Sequence, residues 1–245
     1  GKLKEAEIFY KTALELNPNC EKILAELLAI ASKICDFETI NKYRKYINNL
    51  GKNNTYIYPG RIAHLEDDPN NHFLRVKNLY HQKYKCNSSS ISYSKKQKIH
   101  IGYFSADFRT HPVMVVLARV FELHDQTKFQ IYAYSLSNQE DEYTIRLKNA
   151  VFCYRNIKNL NDIQAVQLAR NDNLDIAIDL MGYTHNNRMS IFSHRVAPLQ
   201  VSYLGFEATT GSSDMDYLIA DQYVLPPKIT KFYSEKVVYK KHSYI

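Results

Sequence analysis

The sequence predicts an α/β protein in two parts, a helical N-terminal segment followed by a doubly wound lobe built on a parallel sheet. The first 50 residues carry apolar side chains at helical spacing, and turn-forming residues follow them. From about residue 97 onward, apolar segments of strand length alternate with stretches of helical pattern, which is typical of a parallel sheet covered by helices on both faces. A length of 245 residues allows one small and one larger domain.

Residues 1–60 combine small and aromatic side chains at helical spacing. Ala6 and Ala13 allow close helix contact, Tyr10 can fill the groove between helices, and Pro18 ends the unit. This pattern resembles the second helix of a tetratricopeptide repeat. The following unit lacks the expected small and aromatic residues, so it is either a degenerate repeat or a cap. Because about three such repeats are needed to bury their apolar faces, we expect the helical array to continue upstream.

Residues 61–96 are predicted to form one more helix and a polar linker. The segment "DDPNNHFLRVKNLYHQKY" has the acidic start and basic end that favour a helix, and "KCNSSSISYSKKQ" is polar throughout. Between residues 74 and 100 the charged residues are all basic: Arg75, Lys77, Lys83, Lys85, Lys95, Lys96 and Lys98. Since no groove-reading helix or exposed aromatic surface accompanies them, we interpret this run as a solvated linker and not as a nucleic-acid site.

The composition indicates a soluble globular protein. Hydrophobic residues make up 45% and charged residues 23%, and no run approaches the roughly 18 apolar residues of a membrane span. A signal-peptide core is absent from the N-terminus of the sequence. The four cysteines, Cys20, Cys35, Cys86 and Cys153, have no C-x-x-C spacing, which disfavours a zinc site or a disulfide framework. We therefore expect a cytoplasmic protein without a metal site.

The second part, residues 97–245, is predicted to contain six strands separated by helices. The strand-like segments are "KIHIGYF", "FQIYAYSL", "AVFCYRNI", "LDIAIDLM", "LQVSYLGF" and "MDYLIA". Helical pattern lies near residues 112–124, 140–149, 161–171 and 187–195. This alternation predicts a Rossmann-like lobe. Asp216 and Asp221, on either side of "YLIA", are expected to cap strand ends and to take no part in chemistry.

Three segments that follow predicted strands are unusually polar. They are "SADFRTHP" with Asp107, Arg109 and His111, "MGYTHNNR" with Gly182 and Thr184, and "GFEATTGSS" between Gly205 and Gly211. Ligands of open parallel sheets bind beyond the carboxyl ends of the strands, and backbone N–H groups in such turns can bind phosphate or sugar hydroxyls. A lone histidine or glycine usually has a structural role. Because all three segments would leave the same edge of the sheet, however, they predict a shared site.

Common α/β enzyme classes leave motifs that this sequence lacks. The first strand is not followed by G-x-G-x-x-G, since Gly102 lies inside the strand itself, and this disfavours a dinucleotide-binding domain. Neither G-x-x-x-x-G-K-[ST] nor G-x-S-x-G occurs. These absences exclude a P-loop nucleotide hydrolase and leave a serine-hydrolase elbow unsupported.

Four longer motifs occur in a fixed order along the second part. They are "IGYFSADFRTHPVMVVL", "LDIAIDLMGYT", "HRVAPLQVSYLGFEATTGSSDMDYLIAD" and "YSEKVVY". In this order they resemble the first catalytic lobe of O-GlcNAc transferases and their bacterial relatives, over about residues 98–242. That family joins tetratricopeptide repeats to a two-lobed glycosyltransferase of the GT-B type, so the N-terminal repeat agrees with the resemblance.

The resemblance implies a reaction and a set of site residues. The complete enzyme would transfer N-acetylglucosamine from UDP-GlcNAc, a substrate, to Ser or Thr of proteins without a metal or other cofactor. His111 matches the family's active-site histidine, which has been proposed as the base or as an acceptor-orienting group. The implied substrate-binding positions are Gly182, Tyr183 and Thr184 in a cleft loop, and Leu204, Gly205, Thr209 and Gly211 in the loop near the donor's diphosphate and sugar.

The resemblance also implies partners and a missing part. Acceptor proteins would bind through the helical repeats, and the UDP-sugar would bind only together with a second, donor-binding lobe that these 245 residues do not include. We therefore expect weak or absent transfer by this chain alone. Arg109 and Thr110 stand where relatives often carry small or amide residues. Lys240 and Lys241 precede His242 where Leu-Pro is usual.

Two other interpretations stay open on the sequence alone. In the first, the protein is a non-enzymatic interaction module whose helical repeats bind partner peptides. In the second, which the missing glycine fingerprint disfavours, the α/β lobe is a complete domain that binds a small molecule. Peptide binding that ignores the donor sugar would support the first, and a nucleotide bound to the purified protein would support the second.

Overall fold

The computed structural model describes residues 1–53, 55–86, 91–92 and 95–244, and it divides the chain into two compact units, Gly1–Lys83 and Tyr84–Ile245. The predicted boundaries, after residues 60 and 96, lie on either side of this division. The helix placed in the predicted intermediate segment packs with the first unit. Part of the predicted linker, residues 87–90 and 93–94, lies outside the described residues.

The first unit is helical. Its helices are α1 (Lys2–Leu16), α2 (Glu21–Lys33), α3 (Phe37–Tyr43) and α4 (Pro69–Leu79), with 3₁₀ turns at Arg44–Asn49, Pro59–Arg61 and Ala63–Leu65. A π-helical turn at Tyr80–Tyr84 contains the division between the two units. Helix α1 ends just before Pro18, as predicted. The core of the unit consists of Leu14, Leu24, Ala25, Leu27, Leu28, Ile47, Leu50, Ile57 and Ile62.

One member of the basic run belongs to this unit's interior, which corrects its interpretation as a solvated linker. Arg75 is only 2% exposed. Its Nε donates to the carbonyl oxygen of Leu50 at 2.8 Å, its Nη2 donates to that of Ile47 at 2.6 Å, and its Nη1 pairs with Glu66. The guanidinium therefore satisfies buried backbone acceptors, and α4 is fastened to the segment that follows α3.

The second unit contains seven parallel strands, four α-helices and a 3₁₀ helix at Pro227–Phe232 among its described residues. The strands are β1 (Ile99–Ser105), β2 (Phe129–Ser135), β3 (Cys153–Asn156), β4 (Ile176–Asp179), β5 (Leu199–Ser202), β6 (Tyr217–Ala220) and β7 (Lys236–Tyr239). The helices are α5 (Pro112–Leu123), α6 (Glu142–Ala150), α7 (Asp162–Asn171) and α8 (Met189–Ser193). The strand order is β3-β2-β1-β4-β5-β6-β7, which confirms the predicted doubly wound α/β class.

Each face of the sheet is buried by a different pair of helices. On one face, Tyr103 of β1 packs in a core cluster with Met114 of α5 and Leu147 of α6. On the other, the ring of Phe104 stacks on Tyr134 with centroids 4.4 Å apart and meets Phe192 of α8. Because side chains alternate across a strand, both faces of β1 are apolar, and its sequence reads as a continuous hydrophobic run.

The predicted capping roles of two aspartates are confirmed. Asp216 accepts the backbone N–H of Gln200 at 2.9 Å, and its carboxylate pairs with Arg195 at 2.6 Å. Asp221 accepts the backbone N–H groups of Tyr223 and Val224, both at 2.8 Å. Across the described ranges, no helix is both long and apolar enough to span a bilayer.

Candidate active site

The site lies where the strand order reverses direction. β1 is flanked by β2 on one side and by β4 on the other, and the register aligns Ser105 with Ser135 in β2 and Phe104 with Asp179 in β4. All these strands are parallel, so their carboxyl ends meet at one edge. The loops that leave β1 and β4 diverge there and open the crevice in which such sheets bind ligands.

A cavity of about 220 Å³ occupies this crevice. It is lined by residues of all three loops that were predicted to meet: Asp107, Arg109, His111 and Val113 from β1 and α5, Leu180, Thr184, His185 and Asn186 from β4, and Gly205 from β5. The convergence of the three segments is thus confirmed. Six of these nine lining residues are polar, and they include one carboxylate, one guanidinium and two imidazoles.

His111 begins helix α5 as its N-cap. Its backbone is extended, with φ −155° and ψ 149°, and its Nδ1 accepts the backbone N–H of Val113 at 3.3 Å. Pro112 fits the first helical position because it lacks an N–H that would need an acceptor there. Accepting an N–H requires an Nδ1 without a proton, so the neutral ring carries its proton on Nε2 in this arrangement.

Asp107 and Arg109 form an ion pair beside this histidine. Nη2 of Arg109 donates to Oδ1 of Asp107 at 3.2 Å, and Oδ2 of Asp107 lies 3.8 Å from Nδ1 of His111. The backbone N–H of Asp107 donates to Ser105 Oγ at 3.0 Å, which fixes the start of the loop. A carboxylate is therefore held next to the imidazole but just beyond hydrogen-bond distance.

Residues at the start of helix α6 make hydrogen bonds to the backbone of the same loop. Asp141, the N-cap of α6, accepts the backbone N–H of Thr110 at 2.5 Å, and Thr144 Oγ1 donates to the carbonyl oxygen of Phe108 at 2.6 Å. The N–H of Thr110 and the capping N–H groups hold the pKa of the Asp141 carboxyl below its ordinary value. The backbone on both sides of Arg109 is thus fixed by a second element.

The loop after β4 is organised by a buried carboxyl group. Asp179 accepts the backbone N–H groups of Met181 at 3.0 Å and Gly182 at 2.9 Å. Burial raises the pKa of Asp179 to about 7, and these two hydrogen bonds oppose the shift. Gly182 has φ +53°, and a Cβ there would lie 2.2 Å from Cβ of Phe206, so this turn requires glycine.

Tyr183 and Thr184 fasten this loop. The hydroxyl of Tyr183 donates to the carbonyl oxygen of Thr210 at 2.6 Å, and Tyr183 is 8% exposed. Thr184 Oγ1 donates to the carbonyl oxygen of Met181 at 2.8 Å. The loop from β4 is therefore tied to the loop from β5 through Tyr183, while Thr184 and its neighbours form the cavity wall.

The loop after β5 is packed tightly against β4 and fastened to the start of β7. A Cβ on Gly205 would lie 1.8 Å from the carbonyl oxygen of Leu180, and the preceding Leu204 has φ +67°. Further along, Thr209 Oγ1 donates to Oε2 of Glu235 at 2.7 Å, and Glu235 is 4% exposed. Gly211, with φ +64°, donates its N–H to Thr209 Oγ1 at 3.1 Å.

The family model described as glycosyl transferase family 41 matches residues 61–245, three quarters of the sequence. The chain belongs to glycosyl transferase family 41. This family-41 chain is 34% identical over 149 residues to a probable UDP-N-acetylglucosamine–peptide N-acetylglucosaminyltransferase, SEC, of Arabidopsis thaliana, a match that covers 60% of this chain and 15% of that protein.

Two further relatives and one solved structure agree with this membership. The UDP-N-acetylglucosamine–peptide N-acetylglucosaminyltransferase of Caenorhabditis elegans is 31% identical over 157 residues, covering 63% of this chain and 14% of that protein. The probable enzyme SPINDLY of Petunia hybrida is 29% identical over 205 residues, covering 80% and 22%. A mutant of Thermobaculum terrenum O-GlcNAc transferase superposes with a TM-score of 0.71 at 26% identity, over 100% of this chain and 42% of that chain. The chain thus spans between about a seventh and about a fifth of the length of these curated relatives.

The family-41 fold places the predicted site residues in two groups. His111, Thr184 and Gly205 line the cavity. Gly182, Tyr183, Leu204, Thr209 and Gly211 do not, and the contacts described above use them to shape and fasten the loops. Their assignment to catalysis or to substrate stays a prediction for both groups.

Several polar residues of this family-41 site were not among the predicted positions. His185 and Asn186 line the cavity next to Thr184, and Asp179 and Glu235 hold the loops from inside. The signal for the first pair was their place in "MGYTHNNR". For Asp179 the signal was weaker, because an acidic residue at the end of an apolar strand is also typical of a simple strand cap. Among the described residues, no three His, Cys, Asp or Glu side chains are grouped to hold a metal ion.

Proposed function

We propose that this protein takes part in the transfer of N-acetylglucosamine from UDP-GlcNAc to a Ser or Thr hydroxyl of an acceptor protein, with His111 beside that hydroxyl. The observation that carries the proposal is a histidine on a polar cavity at the switch point of a family-41 lobe. The names of the relatives give the donor and the peptide acceptor. The position of the cavity agrees with the general rule for ligands of open α/β sheets.

The cavity offers groups suited to the acceptor side of this reaction. An imidazole can accept a proton from a hydroxyl, or donate a hydrogen bond that orients it, at neutral pH. Thr184 and Asn186 add neutral polar groups, and Gly205 brings backbone close to the cavity without a side chain. We propose that the diphosphate and the sugar are held mainly by a second lobe, and that neither a metal ion nor another cofactor is needed.

The test is transfer of labelled sugar from UDP-GlcNAc to a library of Ser- and Thr-containing peptides, measured with and without a chelator, in a protein that carries both this chain and a second, donor-binding lobe. His111→Ala should lower the rate by about 10²-fold or more, the usual contribution of a positioned acid or base. His64→Ala, which changes an exposed histidine of the first unit, is the matched control and should keep the full rate. Equal rates in both variants would refute the role of His111. Robust His111-dependent transfer by this chain alone would refute the need for a second lobe.

A groove in the first unit supports the alternative, a module that binds partner peptides. This groove has a volume of about 450 Å³. Its lining combines apolar and aromatic side chains with two carboxylates: Leu14, Glu15, Pro18, Asn19, Cys20, Glu21, Leu24, Tyr43, Tyr46, Asn49 and Leu50. Sugar transfer depends on UDP-GlcNAc, whereas peptide binding by the helical unit does not. Peptide binding to this groove should be lost in Tyr46→Ala, and it should ignore both UDP-GlcNAc and His111→Ala.

The same proposal includes a cytoplasmic location. The four cysteines form no disulfide, which agrees with a reducing compartment.

The acceptor protein would meet the helical unit first. Transfer to a full-length acceptor but not to short peptides would support that order of contact.

A further inference from the structure

One nitrogen of His111 faces two incompatible partners. Nδ1 accepts the backbone N–H of Val113 at 3.3 Å, and Oδ2 of Asp107 lies 3.8 Å from the same atom. The first contact needs an Nδ1 without a proton, and a hydrogen bond to the carboxylate needs an Nδ1 that carries one. The two arrangements give Nε2 opposite roles, as a donor in the first and as a proton acceptor in the second.

The carboxylate is held in a position from which it can reach the ring. Arg109 binds Oδ1 of Asp107 at 3.2 Å, which leaves Oδ2 on the side of His111. The side chain of Asp107 is 16% exposed, so water screens it only in part. A displacement of about 1 Å brings Oδ2 and Nδ1 to the length of a charge-assisted hydrogen bond.

Other charged groups around the ring do not compete for Nδ1. On the loop from β1 these groups are Asp107 and Arg109, and from the loop after β4 His185 lines the same cavity. Asp141, at the start of α6, directs its carboxylate to the backbone N–H of Thr110. The loop after β5 contributes Gly205, which has no charge. Asp107 is therefore the acidic group that lines the cavity with His111 in the described part of the chain.

We propose that Asp107 is a positioning residue that moves the proton of neutral His111 to Nδ1 and so makes Nε2 the base for the acceptor hydroxyl. This inference rests on the proposed function. In the step itself, the hydroxyl oxygen bonds to C1 of the sugar and its proton passes to Nε2. The bond between C1 and the diphosphate breaks, and its electron pair stays on the diphosphate oxygen. The resulting imidazolium lies beside the Asp107 carboxylate, which stabilises its charge.

The tautomer of His111 tests the proposal without any need for transfer. Imidazole ¹⁵N resonances are recorded at an alkaline pH where the ring is neutral, and the His111 signals are those missing from His111→Gln. Asp107→Asn, which keeps the shape of the side chain, should lower the ratio of Nδ1–H to Nε2–H several-fold. Glu142→Gln, an exposed carboxylate in the first turn of α6, is the control and should leave the ratio unchanged.

A second variant keeps the test decisive if Asp107→Asn does not fold. Arg109→Gln retains the carboxylate but removes the ion pair that directs Oδ2 toward the ring, so it should shift the ratio in the same direction and by less. Unchanged ratios in the folded Asp107 variant, or in Arg109→Gln if that is the one that folds, overturn the positioning role whether or not the protein transfers sugar.

Transfer kinetics supply a readout that a purely structural role would not give. Asp107→Asn should lower kcat and leave the KM for the donor unchanged, and combined with His111→Ala it should lose no more activity than His111→Ala alone. Additive losses would mean that Asp107 acts independently of His111. If the tautomer shifts as expected and no transfer occurs even with a donor-binding lobe present, the proposed function fails while the positioning of His111 by Asp107 stands.

Discussion

At the scale of single residues, Gly205 is the most constrained position of the cavity wall. A Cβ there would lie 1.8 Å from the carbonyl oxygen of Leu180 and 2.6 Å from its carbon. Both atoms belong to backbone next to β4, which cannot rotate away as a side chain would. The loop from β5 therefore has to move before any larger residue fits.

Gly205→Ala should accordingly destabilise the protein by about 1–3 kcal/mol, the usual cost of overpacking, and reduce transfer. Gly60→Ala is the matched control, since its added Cβ has no atom within 4 Å and its backbone is not left-handed. That change should stay within about 0.5 kcal/mol. Urea unfolding followed by circular dichroism measures both variants. Equal midpoints would contradict the close approach of the two loops.

The sequence identified the residue types of the site better than their contacts. His111 and Gly205 were selected as strand-end residues, and both line the cavity. The neighbour that makes glycine necessary at 205 is Leu180, which lies 25 positions earlier and becomes adjacent only through the pairing of β4 with β5. Thr209 was implied by the resemblance as a substrate-binding position, and in the structure its hydroxyl binds Glu235. Local patterns carry no information on such long-range partners.

At the scale of elements, the edge strand β7 supports the cavity from a distance. Glu235 directly precedes β7 and accepts the hydroxyl of Thr209 and the backbone N–H of Thr210, each at 2.7 Å. The carbonyl oxygen of Thr210 in turn accepts the hydroxyl of Tyr183 from the loop after β4. The Glu235 carboxylate is thus linked through Thr210 to Tyr183, the residue that precedes Thr184 of the cavity wall.

Glu235→Gln should lower the free energy of unfolding by about 1–3 kcal/mol, because the new amide group places N–H donors where the native site needs an acceptor. Glu207→Gln, an exposed position in the loop after β5 that also contains Thr209, removes an equal charge and should have little effect. Denaturant midpoints of the two variants give the comparison. A loss as large in Glu207→Gln would indicate a general charge effect and would contradict the role assigned to Glu235.

Element types were predicted well where the pattern is local. All six predicted strands are present, and helices α5, α6 and α7 lie where the periodicity placed them. The segment of β7 was quoted only as part of a resemblance, since its four residues are partly exposed at the edge of the sheet and lack the apolar run of a central strand. The predicted helix near 187–195 is shorter, at Met189–Ser193.

At the scale of the whole molecule, the sequence predicted the fold class and the edge of the sheet at which the three polar loops meet. The strand order and the division of the chain at Lys83 came only from the structure. The basic run illustrates why such features cannot be predicted from the sequence. Its pattern predicts that Arg75 is a surface charge, yet Arg75 is buried and donates to the carbonyl oxygens of Ile47 and Leu50. Which charges become internal depends on which backbone acceptors the folded chain leaves unsatisfied.

The buried carboxyl of Asp179 gives the second unit a predictable dependence of stability on pH. Burial raises the pKa of Asp179 to about 7, whereas a carboxyl in an unfolded chain ionises near 3.9. Between these values the folded state binds more protons than the unfolded state. The contribution of Asp179 to stability is therefore present in full below pH about 4 and is lost as the pH rises through about 7, by at most about 1.4 kcal/mol per pH unit.

Asp179→Asn removes this ionisation while keeping an oxygen that can accept one of the N–H groups of Met181 and Gly182. The variant should be less stable than the native protein at low pH and should lose less stability as the pH rises from about 4 to about 7. Urea unfolding at several pH values, monitored in the second unit, measures the two curves, and the other titrating groups cancel in their difference. Parallel curves would mean that Asp179 ionises normally in the folded state. Convergence toward neutral pH would show that the loop after β4 is held by a carboxyl group that gives up its proton near the pH at which the cavity is proposed to work.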